Sequence, residues 1–201
     1  LLDFANGRIV TRRIAERLQE LLPSDRAFIR ANLEAFNGRV DTFVFGYGLT
    51  ATYGADKLWD LLLTGRLEAF FAGKSVHMHD RQYLAQLDRF KGKKIAAYSP
   101  GWRYFARRWG LSVAVCLQSR AGETPAGNPL DAAAERMKAE GIRLILVEPY
   151  ARREVLERVT RQTGAVVVEC PCADDGDPPV SDYVRTTSYT LSRLSVALDV
   201  K

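Results

Sequence analysis

Histidine and cysteine are scarce in this chain: His77 and His79 are the only imidazoles and Cys116, Cys170 and Cys172 the only thiols in 201 residues. Three cysteines, placed as these are, do not make a disulfide framework, and an odd number leaves at least one unpaired within the chain. Two histidines cannot by themselves fill a structural zinc site, which wants four N, S or O donors. No apolar run approaches the roughly 18 residues of a membrane span, and no signal-peptide pattern opens the chain. No Gly-x-Gly-x-x-Gly follows a strand, no phosphate-loop Gly-Lys-Ser/Thr occurs, and Ser99 lacks the flanking glycines of a nucleophile elbow, which argues against an enzyme. The net charge of +5 is spread over helix faces among 24 acidic residues, with no basic stripe interleaved with aromatics, so nucleic acid is not the expected partner.

What is present suffices for a folded core: 47% of the residues are hydrophobic and 26% charged, and the length fits one or two domains. Lys93 to Leu111 organises the rest. Ile95 to Tyr98 is a short apolar run, as in a strand covered on both faces. Ser99 suits a helix N-cap and Pro100 a first helical position. Trp102, Phe105, Ala106 and Trp109 then recur at helical spacing, with Arg103, Arg107 and Arg108 on the other side, and Gly110 ends the helix.

This unit repeats. Leu111 to Leu117 is a second apolar run, and Asn128-Pro129 starts a helix with Leu130, Ala133, Ala134 and Met137 inward, closed by Gly141. Ile142 to Val147 is a third strand, followed by a helix marked by Val155, Leu156 and Val159, Gly164, and the strand Ala165 to Val168. Alternating strands and helices with short joints predict a parallel four-stranded sheet in the order 2-1-3-4 with helices on both faces. Ser181 is expected to cap a final helix with Val184, Thr187, Leu191, Leu194 and Leu198 inward.

Ahead of the sheet, Asn6-Gly7 is expected to start a helix carrying Val10, Ile14, Leu18 and Leu21, interrupted by Pro23-Ser24. A longer helix follows, with Ile29, Leu33, Phe36 and Val40 on one seam. These patterns divide the chain into the end of a first lobe and a helical spine (1–41), a mostly helical insert (42–91) and a carboxyl-terminal α/β lobe (92–201). Leu1 is not a start residue, and a processed or partial chain is expected.

Ligands of open α/β sheets bind at the carboxyl ends of the strands. Ser99, Glu123, Glu148 and Cys170 are expected to converge there, with Asp174 and Asp175 on the loop beyond. Cys170 and Cys172 are either a soft pair for zinc or copper(I) or, at Cys170, a buried strand-end thiol. Glu123 and Glu148 either support a ligand or cap loops and pair with arginines. His77 and His79, at alternate spacing, are either an exposed polar loop or an incomplete metal clip.

With these landmarks the chain resembles the zinc and manganese ABC-transporter solute-binding proteins, in which a long rigid helix joins two α/β lobes. Leu1-Leu2-Asp3-Phe4 is similar to the end of that family's His-x-Trp-Leu-Asp-Pro motif, with Phe4 for the proline. Ile14 to Leu18, Asn32 to Phe36 and the insert GADKLWDLLLTGRLEAFF resemble its spine and the insertion of one branch. Tyr98, Trp102, Tyr104 and Phe105 match its Tyr-His-x-x-Trp-x-Tyr-Phe motif, and Val147-Glu148-Pro149 its third-strand ending. The resemblance implies a metal held between lobes by histidines of the first lobe, the histidine of the Tyr-His motif and a carboxylate after the last strand. Here Ser99 stands for the motif histidine and Cys170 for the carboxylate, which Asp174 or Asp175 could supply, and the first lobe would precede Leu1. Ser99 then either only starts its helix or belongs to a cleft retuned from a metal to an anion or small polar solute.

What the resemblance implies is a partial chain of the solute-binding component of a metal importer, with an altered or lost site and zinc or manganese as transported solute. Its partners would be a permease and, on the apolar flank of Phe28 to Val40, the missing first lobe or a second copy. Its location would be periplasmic or extracytoplasmic, lipid- or membrane-associated. An interaction module on the same fold without solute binding is the alternative, and an α/β enzyme a third reading.

Overall fold

The computed structural model describes residues 3–72, 74, 76, 89–120, 125, 127–171 and 182–199, which fall into two compact units, Asp3–Arg89 and Phe90–Lys201. The first unit is helical. Helix α1 (Phe4–Leu21) starts earlier than Asn6-Gly7 suggests, because the Asp3 side chain accepts the Ala5 N–H at 2.9 Å and caps it. A 3₁₀ turn at Pro23–Asp25 reverses the chain into α2 (Arg26–Phe45), which packs along α1. The Arg26 Nε donates to the Gln19 carbonyl at 3.1 Å across that turn.

Burial divides this hairpin unevenly. Val40, Val44 and Phe45 of α2 are in the core, whereas Ile29, Leu33 and Phe36 are only half-buried. The first helix turns Val10, Ile14, Leu18 and Leu21 outward, which leaves its apolar seam as a flank open to solvent. Positive φ at Gly46 (82°) and Gly54 (77°) breaks the helical path without loops. The chain passes straight into α3 (Tyr47–Tyr53) and α4 (Ala55–Leu63), and α5 (Leu67–Phe71) follows. Leu49, Leu58, Trp59, Leu67 and Phe71 close the core, with Trp59 edge-on to Phe45 at 5.0 Å.

The second unit alternates β1 (Lys94–Ala97), α6 (Trp102–Arg108), β2 (Ser112–Cys116), α7 (Asn128–Ala139), β3 (Leu144–Val147), α8 (Arg153–Thr163), β4 (Val166–Glu169) and α9 (Tyr183–Asp199). All pairings are parallel and the order is β2-β1-β3-β4, as the repeated pattern predicts. Every residue of β3 is buried, which is why the strands read as continuous apolar runs. Ala96, Tyr98, Ile145 and Val147 form one core layer with Leu130, Ala134 and Met137 of α7 and Val155 and Val159 of α8. Their alternates Ile95, Ala97, Leu144 and Leu146 are equally buried on the opposite face. The order places α6 and α7 on opposite faces, since the chain steps from β1 to β2 and back across β1 to β3 through right-handed crossovers.

Two helix starts of this second unit differ from expectation. Helix α6 begins at Trp102, so Pro100 lies in the preceding turn. Helix α9 is capped by Asp182, whose Oδ1 accepts the N–H groups of Val184 and Arg185 at 2.9 and 3.0 Å; Ser181 lies outside the described residues. No helix among the described residues is long and apolar enough to cross a membrane.

Candidate functional site at the carboxyl edge of the sheet

The switch point of this sheet lies between β1 and β3. Ala96 pairs with Ile145 and Ala97 with Leu146, and the Tyr98 N–H donates to the Leu146 carbonyl at 2.9 Å. Carried two residues on, this register sets Ser99 level with Glu148. The two side chains are hydrogen-bonded, the Ser99 hydroxyl donating to Glu148 Oε1, and both residues are buried. Ser99 Oγ also accepts the Gly101 N–H at 3.2 Å, so the residue organises its turn while it holds the carboxylate. The turn after β3 is closed by the Ala151 N–H on the Glu148 carbonyl at 2.9 Å and tied to β1 by the Arg152 N–H on the Tyr98 hydroxyl at 3.3 Å. Glu148 Oε2 is buried with no partner among the described residues, and so is the Trp102 indole N–H at the start of α6.

At the end of β2 the Cys116 thiol donates to the Gln118 carbonyl at 3.1 Å. Burial pushes this thiol up from 9.0, opposed by the Arg103 charge and reinforced by that of Glu148. Arg103 and Glu148 therefore share one electrostatic neighbourhood with Cys116.

Cys170 follows β4, its N–H donating to the Val147 carbonyl at 2.9 Å. Its side chain faces α9, where the thiol is hydrogen-bonded to Thr190; burial pushes it up to about 12, with Thr190 and Arg193 acting the other way. The structure thus joins Ser99 to Glu148 and turns Cys170 to the final helix. Glu123, Cys172, Asp174, Asp175, His77 and His79 lie outside the described residues. Among the described residues no group of three or more His, Cys, Asp or Glu could hold a metal ion. Sequence reasoning places Glu148 at the edge but misses its bond to Ser99; the strand register carries that signal once β1 and β3 are neighbours.

The buried polar pair lies at the switch point of a parallel α/β sheet, the place where ligands of such sheets bind. The sequence profile of the family described as zinc-uptake complex component A, periplasmic (ZnuA), matches residues 71–197, well over half of the chain. The chain belongs to that family. No curated protein sequence matches. Among solved structures, the chain is similar to FpvC from Pseudomonas aeruginosa in complex with Mn²⁺, with a TM-score of 0.68, 17% identity, and coverage of 98% of this chain and 59% of that one. It is similar to a Mn-bound periplasmic metal-binding protein from Candidatus Liberibacter asiaticus, with a TM-score of 0.63, 13% identity, and coverage of 98% and 61%. A ZnuA crystal structure gives a TM-score of 0.63, 19% identity, and coverage of 98% and 60%. At these identities the likeness is one of fold, and the chain spans about three fifths of the length of these structures.

Proposed function

We propose that the chain is the spine and carboxyl-terminal lobe of the solute-binding component of a metal-type ABC importer, working outside the cytoplasm with a permease. Its segments are the end of a first lobe with the spine (1–41), an insert (42–91) and the lobe (92–201), and its transported solute is a divalent metal, zinc or manganese. The family match supports a metal solute, and the Ser99–Glu148 pair carries the reading of an altered site: a hydroxyl bonded to a buried carboxylate stands where the family resemblance implies an imidazole. Asp174, Asp175, His77 and His79 are further donors in this reading, and Cys170 is a weak one beneath α9.

The test is loss of the gene, followed by elemental analysis of the cells. Depletion of zinc or manganese restored by the gene supports the reading, and unchanged metal content overturns it. For the purified chain, weak zinc binding is expected in competition with a chromogenic chelator. Stoichiometric capture that disappears in Cys170→Ala would replace the altered site with a cysteine site. An interaction module without solute binding is the second reading, favoured by the exposed flank of Ile14, Leu18 and Phe28.

A further inference from the structure

The amino edge of the sheet, at the opposite end of the strands from Ser99 and Glu148, carries a groove of about 550 Å³, a size that suits a small molecule. Leu144 of β3 and Val166 of β4 are register partners, and with Ala197 and Leu198 near the end of α9 they give the groove an apolar floor. Val166 is 46% exposed, so α9 packs on β4 without covering the start of that strand. Lys93 and Arg143, where the chain enters β1 and β3, supply a cationic rim. Gly92, Gly141 and Gly164 add no side chain to it, and open space lies where each Cβ would stand.

Positive charge at this edge has two origins. Helices α6, α7 and α8 end there, and the negative ends of their dipoles account for the cations of their last turns, such as Arg107, Lys138 and Arg161. Lys93 and Arg143 belong to no helix. Glu140, the acid that lines the groove, is held by Lys94 at 2.9 Å and Arg136 at 2.7 Å. Lys93 and Arg143 have no ion-pair partner among the described residues. The end of α9, with no basic residue in its last turn, offers them only a partial negative charge. From two unpaired cations above an open apolar floor, we infer that the groove binds an amphiphile with a phosphate head. The several oxygens of a phosphate meet the planar fork of Arg143 and the point charge of Lys93 together, while an alkyl chain covers Val166 and Leu198. No aromatic residue among the described ones lines the groove, so nothing in it stacks on a nucleic acid base.

The experiment titrates dodecyl phosphate, kept below its micelle concentration, into the chain by calorimetry. Inorganic phosphate stands for the head alone, and sedimentation with phosphatidylglycerol or phosphatidylcholine vesicles tests a bilayer as the source. One equivalent of dodecyl phosphate is expected to bind, with inorganic phosphate about tenfold weaker or more, a factor that burying about two methylene groups supplies. Lys93→Gln with Arg143→Gln, checked for folding by circular dichroism, is expected to weaken dodecyl phosphate about tenfold or more. Lys138→Glu with Arg161→Glu, exposed on the same edge but outside the groove, is expected to change it by no more than about twofold. If the glutamine pair does not fold, Ala197→Trp, which fills the groove from α9, serves in its place. Capture by phosphatidylglycerol vesicles that needs Lys93 and Arg143 supports a bilayer lipid as the occupant, and dodecyl phosphate binding without vesicle capture supports a free amphiphile. No binding of dodecyl phosphate, equal binding of inorganic phosphate, or equal loss in the two charge variants, the mark of diffuse attraction, overturns the inference. None of these outcomes touches metal binding at the opposite edge.

Discussion

The Trp59 indole N–H donates to Asp41 Oδ1 at 2.6 Å, while Arg8 Nε stands 3.3 Å from the same oxygen. The Arg8 guanidinium also lies over the Trp59 ring at 5.4 Å and reaches Asp56 at 3.0 Å. One carboxylate thus joins α1, α2 and α4. Burial raises its pKa above 3.8 in spite of Trp59 and Arg8. Asp41→Ala, which strands a buried N–H and unpairs Arg8, is expected to lower stability in urea unfolding by about 3 kcal/mol. Asp41→Asn keeps an acceptor and removes the ionisation penalty, so its cost is expected to stay within about 1 kcal/mol.

Cys170 titrates in the opposite direction from a reactive thiol. Its folded value of about 12 stands above the reference 9.0, so the folded state binds the proton more tightly than the unfolded state does. The stability contributed is complete below 9.0 and lost as pH rises through about 12. Cys170→Ala is expected to cost about 1–2 kcal/mol at neutral pH, from the cavity it leaves. That difference should shrink in alkaline solution, and a thiol-reactive chromogen should reach Cys170 only after unfolding.

Acid acts at another point. Asp131 on α7 accepts from Gln162 at 3.0 Å and, through both oxygens, from Arg158 at 3.1 and 2.6 Å on α8. These bonds, Gln162 first and then Arg158, hold its pKa below 3.8, so the contribution is present above 3.8 and lost as pH falls through the lower folded value. Asp131→Asn is expected to be less stable than the parent at neutral pH, with the gap closing in strong acid, followed by urea midpoints.

On the helical hairpin, Ile14, Leu18, Phe28, Ile29, Leu33 and Phe36 line an apolar groove of about 320 Å³, with Phe28 71% exposed. Surfaces of this kind are uncommon on soluble monomers. Self-association is expected in sedimentation velocity. Ile14→Glu with Leu18→Glu is expected to suppress it while changing stability by no more than about 0.5 kcal/mol per site, because both residues lie on the surface, outside the core.

The sheet was legible because β3 is covered on both faces, so Ile142 to Val147 reads as a strand without knowledge of its partners. Glycines such as Gly164, left-handed at φ 65°, mark where a helix must stop before the next strand. The helical seams were harder. Periodicity identifies the apolar stripe of Ile14 and Leu18 but not whether anything covers it. Asp3 and Asp182 cap helices through single side-chain oxygens, and a nearby Asn6-Gly7 or Ser181 satisfies the same pattern. The Arg8–Asp41–Trp59 cluster joins positions far apart in the chain and leaves no local trace. Ser99 and Glu148 were each visible as edge residues, but their bond depends on the offset between two strands separated by a helix, a strand and a second helix.

That offset has a mechanical consequence. Ser99 and Glu148 each lie two residues beyond a ladder whose last rungs are Ala97 opposite Leu146 and the Tyr98 N–H on the Leu146 carbonyl. To change their separation by backbone motion, β1 would have to shear against β3, breaking buried hydrogen bonds in the middle of the sheet. The pair therefore behaves as a fixed calliper: it adjusts by side-chain rotation, while the strands hold its jaws at constant span. Exchanging the two residues for other polar ones would change the chemistry presented at the edge without altering the frame that holds it.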